Sequence, residues 1–298
     1  MSEPLLSPEA LRRLEQFQLL AARRAKSGSK GERRSRARGQ SVEFADHRNY
    51  SIGDDFRYLD WNLFGRLDRL FIKLYEEERE LPVTIFLDLS ESMRFGRPSK
   101  AHFATQLAAA IGYTALCGFD RVSVRAFPGS EDDRAARNAL RSIRGRRSSM
   151  TFFHRLQDLR CGGLADLNEA LRLGALESKA VGVAVVLSDF LDPAGYESGI
   201  QSLVARGFQI HAIQILAPEE VDPGQFGELR VIDSESGSEV DVTFGKARLA
   251  SYQQTVANFR ARLREYLVKR GVSFTSITSD SPLEPLLLKQ LREAQLWG

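Results

Sequence analysis

From Leu81 onward, short β-branched runs alternate with helical stretches, and this alternation narrows the possible folds more than any other feature of the chain. The runs are Val83–Asp88, Arg121–Phe127, Gly182–Asp189, Gln209–Leu216 and Val272–Ile277. Helical spacing marks Ser99–Cys117, Asp166–Leu176, Pro193–Arg206, Lys246–Arg270 and Leu283–Leu296 between and after them. Strands that each feed a helix demand a largely parallel sheet with helices on both faces, so an α/β architecture is expected. In the long penultimate helix Leu249, Tyr252, Val256, Phe259, Leu263 and Tyr266 recur at three and four, which predicts one buried stripe. Two β-patterned arms around Ser236-Gly237 predict a hairpin inserted near 227–244.

The first 80 residues follow a different pattern. Leu11, Leu14, Phe17, Leu20 and Ala21 give Leu5–Ala25 a helical spacing, with Ser7 and Pro8 placed as cap and first turn. A small, basic connection, Gly28–Gly39, comes next. Then comes a segment whose Phe44, Tyr50, Phe56, Tyr58, Trp61, Phe64, Phe71 and Tyr75 call for burial. The expected organisation is therefore residues 1–80 as helix, basic arm and aromatic segment, and 81–298 as the sheet domain.

Charge sharpens this division. Ten basic residues stand against Glu15 and Glu32 between Leu11 and Arg38, so that stretch carries +8 and the rest −5 of a net +3. Such an arm suits an acidic protein face or an anionic membrane surface, and peripheral membrane contact stays open. Nucleic acid is not the expected partner, because no aromatic interleaves Lys26–Arg38. The longest apolar runs fall short of the roughly 20 residues a membrane helix needs, and charged residues interrupt Met1–Leu20 where a signal peptide wants an apolar core. A cytoplasmic setting is expected. Cys117 and Cys161 form neither a disulfide framework nor a metal cluster.

Chemistry should gather at the carboxyl ends of the strands, where an open α/β sheet binds its ligands. Two of the runs end in Asp. The first continues Asp88-Leu89-Ser90-Glu91-Ser92, and the second ends Ser188-Asp189. Asp and two Ser at alternate positions can aim three oxygens to one side, as a hard cation requires, while a helix cap is the plainer use of the same residues. Enzymatic readings are less well supplied. A phosphotransferase of the haloacid dehalogenase type with Asp88 as nucleophile wants an acid two residues on, where Ser90 stands. No Gly-x-Ser-x-Gly elbow or phosphate-binding Gly-Lys-Ser/Thr loop occurs, and His47, His102, His154 and His211 lack metal-ligand spacing.

Asp88, Ser90, Ser92 and Asp189 together resemble the metal-ion-dependent adhesion site (MIDAS) of the von Willebrand factor A domain. The resemblance implies that Ser90 and Ser92 ligate Mg2+, Mn2+ or Ca2+ through their hydroxyls, and that Asp88 and Asp189 bind the ion largely through waters. A partner's carboxylate would fill the remaining position. The loop expected to supply a Thr departs from the pattern: after Gly162-Gly163, Ala165 occupies the Thr position, and Asp166 either substitutes as ligand or caps its helix.

Gly39, Glu43, Phe44, Arg48, Tyr50, Gly53, Asp54, Asp55, Arg57, Asp60 and Trp61 match the signature of the bacterial family called domain of unknown function 58. That resemblance implies a non-enzymatic interaction module, an adaptor or co-chaperone working with a MoxR-type AAA+ ATPase on client complexes. Read from the residues, Arg48 and Arg57 are bidentate donors, with Glu43, Asp54, Asp55 and Asp60 as acceptors. They either staple the segment structurally or present an acidic docking surface.

Overall fold

The computed structural model describes residues 4–15, 42–77, 80–128, 140–223, 227–232, 239–244 and 246–286. Two compact units emerge, Ser29–Glu80 and the combination of Met1–Gly28 with Leu81–Gly298. The boundary after Glu80 is the one the composition suggests, whereas the amino-terminal helix groups with the sheet. The arm residues from Arg23 to Arg38 lie outside the described residues.

Helix α1 (Pro8–Leu14) starts at Ser7, whose hydroxyl accepts from the Ala10 amide at 3.0 Å. Leu5, Leu6 and Leu14 join the core of the larger unit, and the remainder of the expected helix lies outside the described residues.

In Ser29–Glu80, strands β1 (Val42–Asn49) and β2 (Phe71–Glu77) pair antiparallel, with a register shift between Phe44 and Asp46. Helix α2 (Trp61–Leu67) lies in their connection, capped by Asp60. The demand for aromatic burial is only partly met: Phe56, Tyr58 and Trp61 are exposed, Trp61 at 63%. One two-stranded ribbon and one short helix cannot enclose so many rings, so they pair with one another instead. Tyr50 stacks on Phe56 at 5.5 Å, and Trp61 meets Phe64 edge-on at 6.3 Å.

The larger unit is built on strands β3 (Pro82–Asp88), β4 (Arg121–Phe127), β5 (Ile143–Arg144), β6 (Val183–Ser188), β7 (Gln209–Leu216) and β10 (Ser273–Thr278). Their order is β10-β7-β6-β3-β4-β5, all parallel except the edge strand β5. The helices are α3 (Lys100–Cys117), α4 (Ser149–Gln157), α5 (Leu167–Glu177), α6 (Glu197–Arg206), the single turn α7 (Pro218–Val221) and α8 (Lys246–Val268). Alternation along the strands sends Ile85, Leu87, Val185 and Ile213 to the face covered by α1, α3 and α4. Phe86, Ala184, Val186 and Ala212 go to the opposite face, packed by α5, α6 and α8. Both faces are dry, so each fully buried Val, Leu or Ile contributes roughly 1.5–3 kcal/mol. The expected stripe of α8 holds, with Leu263 and Leu267 buried and Phe259 and Tyr266 half-buried.

Strands β8 (Gly227–Ile232) and β9 (Glu239–Phe244) form the expected separate hairpin, whose turn lies outside the described residues. Helix α6 begins later than its pattern suggests, because Asp192 accepts from the Ala194 amide at 2.8 Å and Gly195 takes φ +79, forming a turn first. The last expected helix is described only over Leu283–Pro285. Among the described residues, no helix is long and apolar enough to cross a membrane.

Candidate metal centre at the strand ends

The chain runs from β3 outward to β4 and later returns to place β6 on the other side of β3, so the order of strand addition reverses between the parallel neighbours β3 and β6. Asp88 and Asp189 close these two strands. The reversal places them in the crevice where such sheets bind ligands.

Asp88 is 1% exposed, and both of its oxygens are engaged. Oδ1 accepts from the Ser90 amide at 3.0 Å, and Oδ2 accepts from the Ser188 hydroxyl at 2.6 Å. Burial, followed by the charge of Asp189, pushes its pKa up to about 6 against these hydrogen bonds. The next residues turn: Ser90 is extended and fully buried, and Glu91–Arg94 form a 3-10 turn. The turn brings Ser90 Oγ and Ser92 Oγ to 3.1 Å, and the Ser92 hydroxyl donates to Asp189 Oδ2 at 3.2 Å.

The glycine pair braces this loop. The Gly162 amide donates to the Leu89 carbonyl at 2.9 Å, and the Glu91 amide to the Gly163 carbonyl at 3.0 Å. Gly163 has φ +85, and a Cβ there would lie 3.2 Å from Pro128 Cγ, so the position favours glycine twice over. Ala165 brings no side-chain oxygen to the site. Asp166 takes the capping role, accepting from the Glu169 amide at 2.8 Å.

Three further residues complete the cluster, and sequence reasoning had not selected them. Ser188 holds Asp88. Lys100, at 0% exposure, donates to Asp189 Oδ2 at 2.7 Å and to Glu220 Oε1 at 2.6 Å. Burial alone would lower the pKa of that ammonium, but the two carboxylates outweigh it and raise it. Asp189 is held from its other side by the Leu191 amide on Oδ1, and Gln214 donates to its carbonyl, each at 3.0 Å. A signal for Lys100 did exist in the sequence: it follows the cap Ser99, in the first turn of a helix, where the dipole disfavours a cation.

The donor set fits a hard divalent cation. Octahedral ligands about 2.1 Å from such an ion lie about 3 Å from their neighbours. Ser90 Oγ and Ser92 Oγ are spaced at 3.1 Å, and Asp189 Oδ2 lies 3.2 Å from Ser92 Oγ, within reach of an ion's bound waters. Among the described residues, no group of three or more His, Cys, Asp or Glu could hold a metal, so any ion here depends on the hydroxyls.

The signature residues occupy Ser29–Glu80 and pair within it. Arg48 grips Asp54 with bonds of 2.7 and 2.6 Å, and Arg57 grips Asp55 at 2.6–3.1 Å. Asp60 caps α2 through the Asn62 and Leu63 amides and lies 2.9 Å from His47 Nε2. The His47 contact is the largest influence holding its carboxyl down at about 2. The side chain of Glu43 lies outside the described residues. Arg48 and Arg57 thus act as the expected donors, and each of the three described acids already has a partner.

The family model described as "Protein of unknown function DUF58" matches residues 46–262. An uncharacterized protein of Mycobacterium tuberculosis is 26% identical over 247 residues, which is 81% of this chain and 76% of that protein. One from Mycobacterium avium is 26% identical over 119 residues, 40% of this chain and 68% of its own. Among solved structures, a von Willebrand factor type A protein from Catenulispora acidiphila aligns with a TM-score of 0.39 and 15% identity, over 75% of this chain and 43% of its own. The conserved hypothetical protein BatB from Bacteroides thetaiotaomicron aligns with a TM-score of 0.40 and 12% identity, over 72% of this chain and 98% of its own.

Proposed function

The chain belongs to the DUF58 family, and from the geometry of its strand-end cluster we propose that it is a non-enzymatic protein-interaction module that docks partners through a divalent cation, Mg2+ by preference. Ser90 and Ser92 would hold the ion directly, and Asp88 and Asp189 through water. The single observation that carries this reading is the 3.1 Å spacing of Ser90 Oγ and Ser92 Oγ, which suits adjacent corners of an octahedron, with Asp189 Oδ2 beside them accepting from the Ser92 hydroxyl at 3.2 Å.

When bound, the ion would supply an electrophilic position for a partner's Glu or Asp. The chain's own residues prepare that position. Ser188 and the Ser90 amide fix the Asp88 carboxylate, and the Gly162-Gly163 loop holds the Ser90–Ser92 turn open toward Asp189. A nucleophilic role for Asp88 has less support, because both its oxygens are engaged and it is almost fully enclosed. The partner implied by the signature segment is a MoxR-type AAA+ ATPase, or a client that supplies the carboxylate, in a cytoplasmic setting.

Calorimetric titration of Mg2+ into the wild type and into Ser90→Ala/Ser92→Ala tests the site. The expected result is binding that weakens at least about tenfold in the double variant, as loss of two of about six oxygen ligands demands. Equal affinity would overturn the assignment. Capture of the cognate MoxR-type ATPase in Mg2+ and in EDTA tests the docking role, and capture unaffected by chelation would refute a metal bridge.

A further inference from the structure

Lys100 stands where a lysine is least expected. The first turn of a helix is its positive end, and an ammonium removed from water needs close counter-charges to remain ionised. Lys100 nevertheless opens α3 with its side chain wholly enclosed. Two carboxylates from different strand ends hold it, Asp189 after β6 at 2.7 Å and Glu220 in α7 at 2.6 Å. Both acids are fixed in turn. Asp189 Oδ1 accepts from the Leu191 amide at 3.0 Å, and Glu220 Oε2 accepts from the Ala217 amide at 2.7 Å. The Glu220 carbonyl also accepts from the Tyr252 hydroxyl at 2.8 Å.

The ammonium and the Ser92 hydroxyl meet on one atom, Asp189 Oδ2. Asp189 is also one of the two carboxylates that would hold the cation through its waters. We propose that Lys100 is a built-in cation that sets the metal affinity of this site, partly neutralising Asp189 so that the free protein holds a divalent ion weakly. The proposal rests on the metal-docking reading above and adds the residue that tunes it. With Asp88, Asp189 and Glu220 ionised, the cluster carries three negative charges against the one positive charge of Lys100. A bound divalent ion then brings the cluster to neutrality rather than leaving it acidic. A partner's incoming carboxylate consequently meets no residual negative charge, which keeps the docking position attractive to an acid.

Two substitutions move the charge balance in opposite directions. Lys100→Met leaves Asp189 without its counter-ion, and Mg2+ affinity should rise at least about tenfold. Glu220→Gln frees Lys100 to bind Asp189 alone, and Mg2+ affinity should fall by a similar factor. The double variant restores the original balance and should bind nearly as the wild type does. Calorimetric titration of Mg2+ reads all three, with circular dichroism confirming that each variant is folded. If Lys100→Met does not fold, Glu220→Gln alone decides, and equal or higher affinity there overturns the proposal. Affinity that is unchanged in both variants, while Ser90→Ala/Ser92→Ala loses binding, overturns the role of Lys100 and leaves the metal site standing. No Mg2+ binding by the wild type or by Lys100→Met overturns the metal reading itself, and this proposal with it.

Discussion

His211 shows how much a single buried polar atom can govern. It lies in β7, 2% exposed, with Nε2 3.2 Å from the Gln209 amide nitrogen and Nδ1 without a hydrogen-bond partner among the described residues. Burial pulls its pKa down to about 4 from 6.5. Because the folded value is the lower one, the stability contributed by the neutral ring is fully present above about pH 6.5 and is lost as pH falls through about 4. The loss is on the order of 3 kcal/mol. His211→Leu removes the titration, so the stability of the variant relative to the wild type should grow by that amount between pH 7 and pH 4. Urea unfolding at a series of pH values measures it, and a constant difference would refute the account. The strand-end residues differ in how far each could be read from sequence. Asp88, Ser90 and Ser92 lie within five positions, and Asp189 closes a conspicuous apolar run, so local pattern alone picks them out. Lys100 and Glu220 are 120 positions apart, and their pairing depends on β6 and β7 being neighbours. No local pattern encodes that adjacency.

Elements were legible in proportion to how completely the sheet encloses them. The parallel strands β3, β6 and β7 are buried on both faces and therefore read as near-continuous apolar runs. Helix α4 escaped notice because its nine residues bury little beyond Phe152 and Leu156, with His154 and Arg155 between them. Strand β5 is only two residues long, and the β1–β2 ribbon mixes charged and aromatic residues in its sequence. Helix α5 packs closely on the sheet at one glycine. Gly174 lies against β3 so closely that a Cβ would sit 2.2 Å from the Phe86 ring, and Phe86 is fully buried. Gly174→Ala must therefore shift the helix or turn the ring, costing roughly 1–3 kcal/mol despite the better helix propensity of alanine. A lower urea midpoint with an unchanged slope is the expected observation. A midpoint equal to or above the wild type would show that α5 can move freely on the sheet.

For the molecule as a whole, the site joins parts of the larger unit that are distant in sequence. The ends of β3 and β6, the first turn of α3 and the turn α7 meet through Asp88, Ser188, Asp189, Lys100 and Glu220. An unfolded chain cannot reproduce that convergence, so an ion that binds the folded site will favour the native state by mass action. At a free concentration about one hundred times the dissociation constant, the gain is about 2.7 kcal/mol. For a unit of this size, that corresponds to a rise of roughly 5–10 °C in the unfolding temperature. Differential scanning calorimetry across a Mg2+ series should show this rise in the wild type and none in Ser90→Ala/Ser92→Ala. Potassium chloride at matched ionic strength controls for screening of surface charges. A shift of equal size in potassium chloride, or in the double variant, would assign the stabilisation to general electrostatics instead. Because Lys100 already neutralises part of the cluster, the wild type should remain folded in EDTA, so the ion would add to a structure that stands without it.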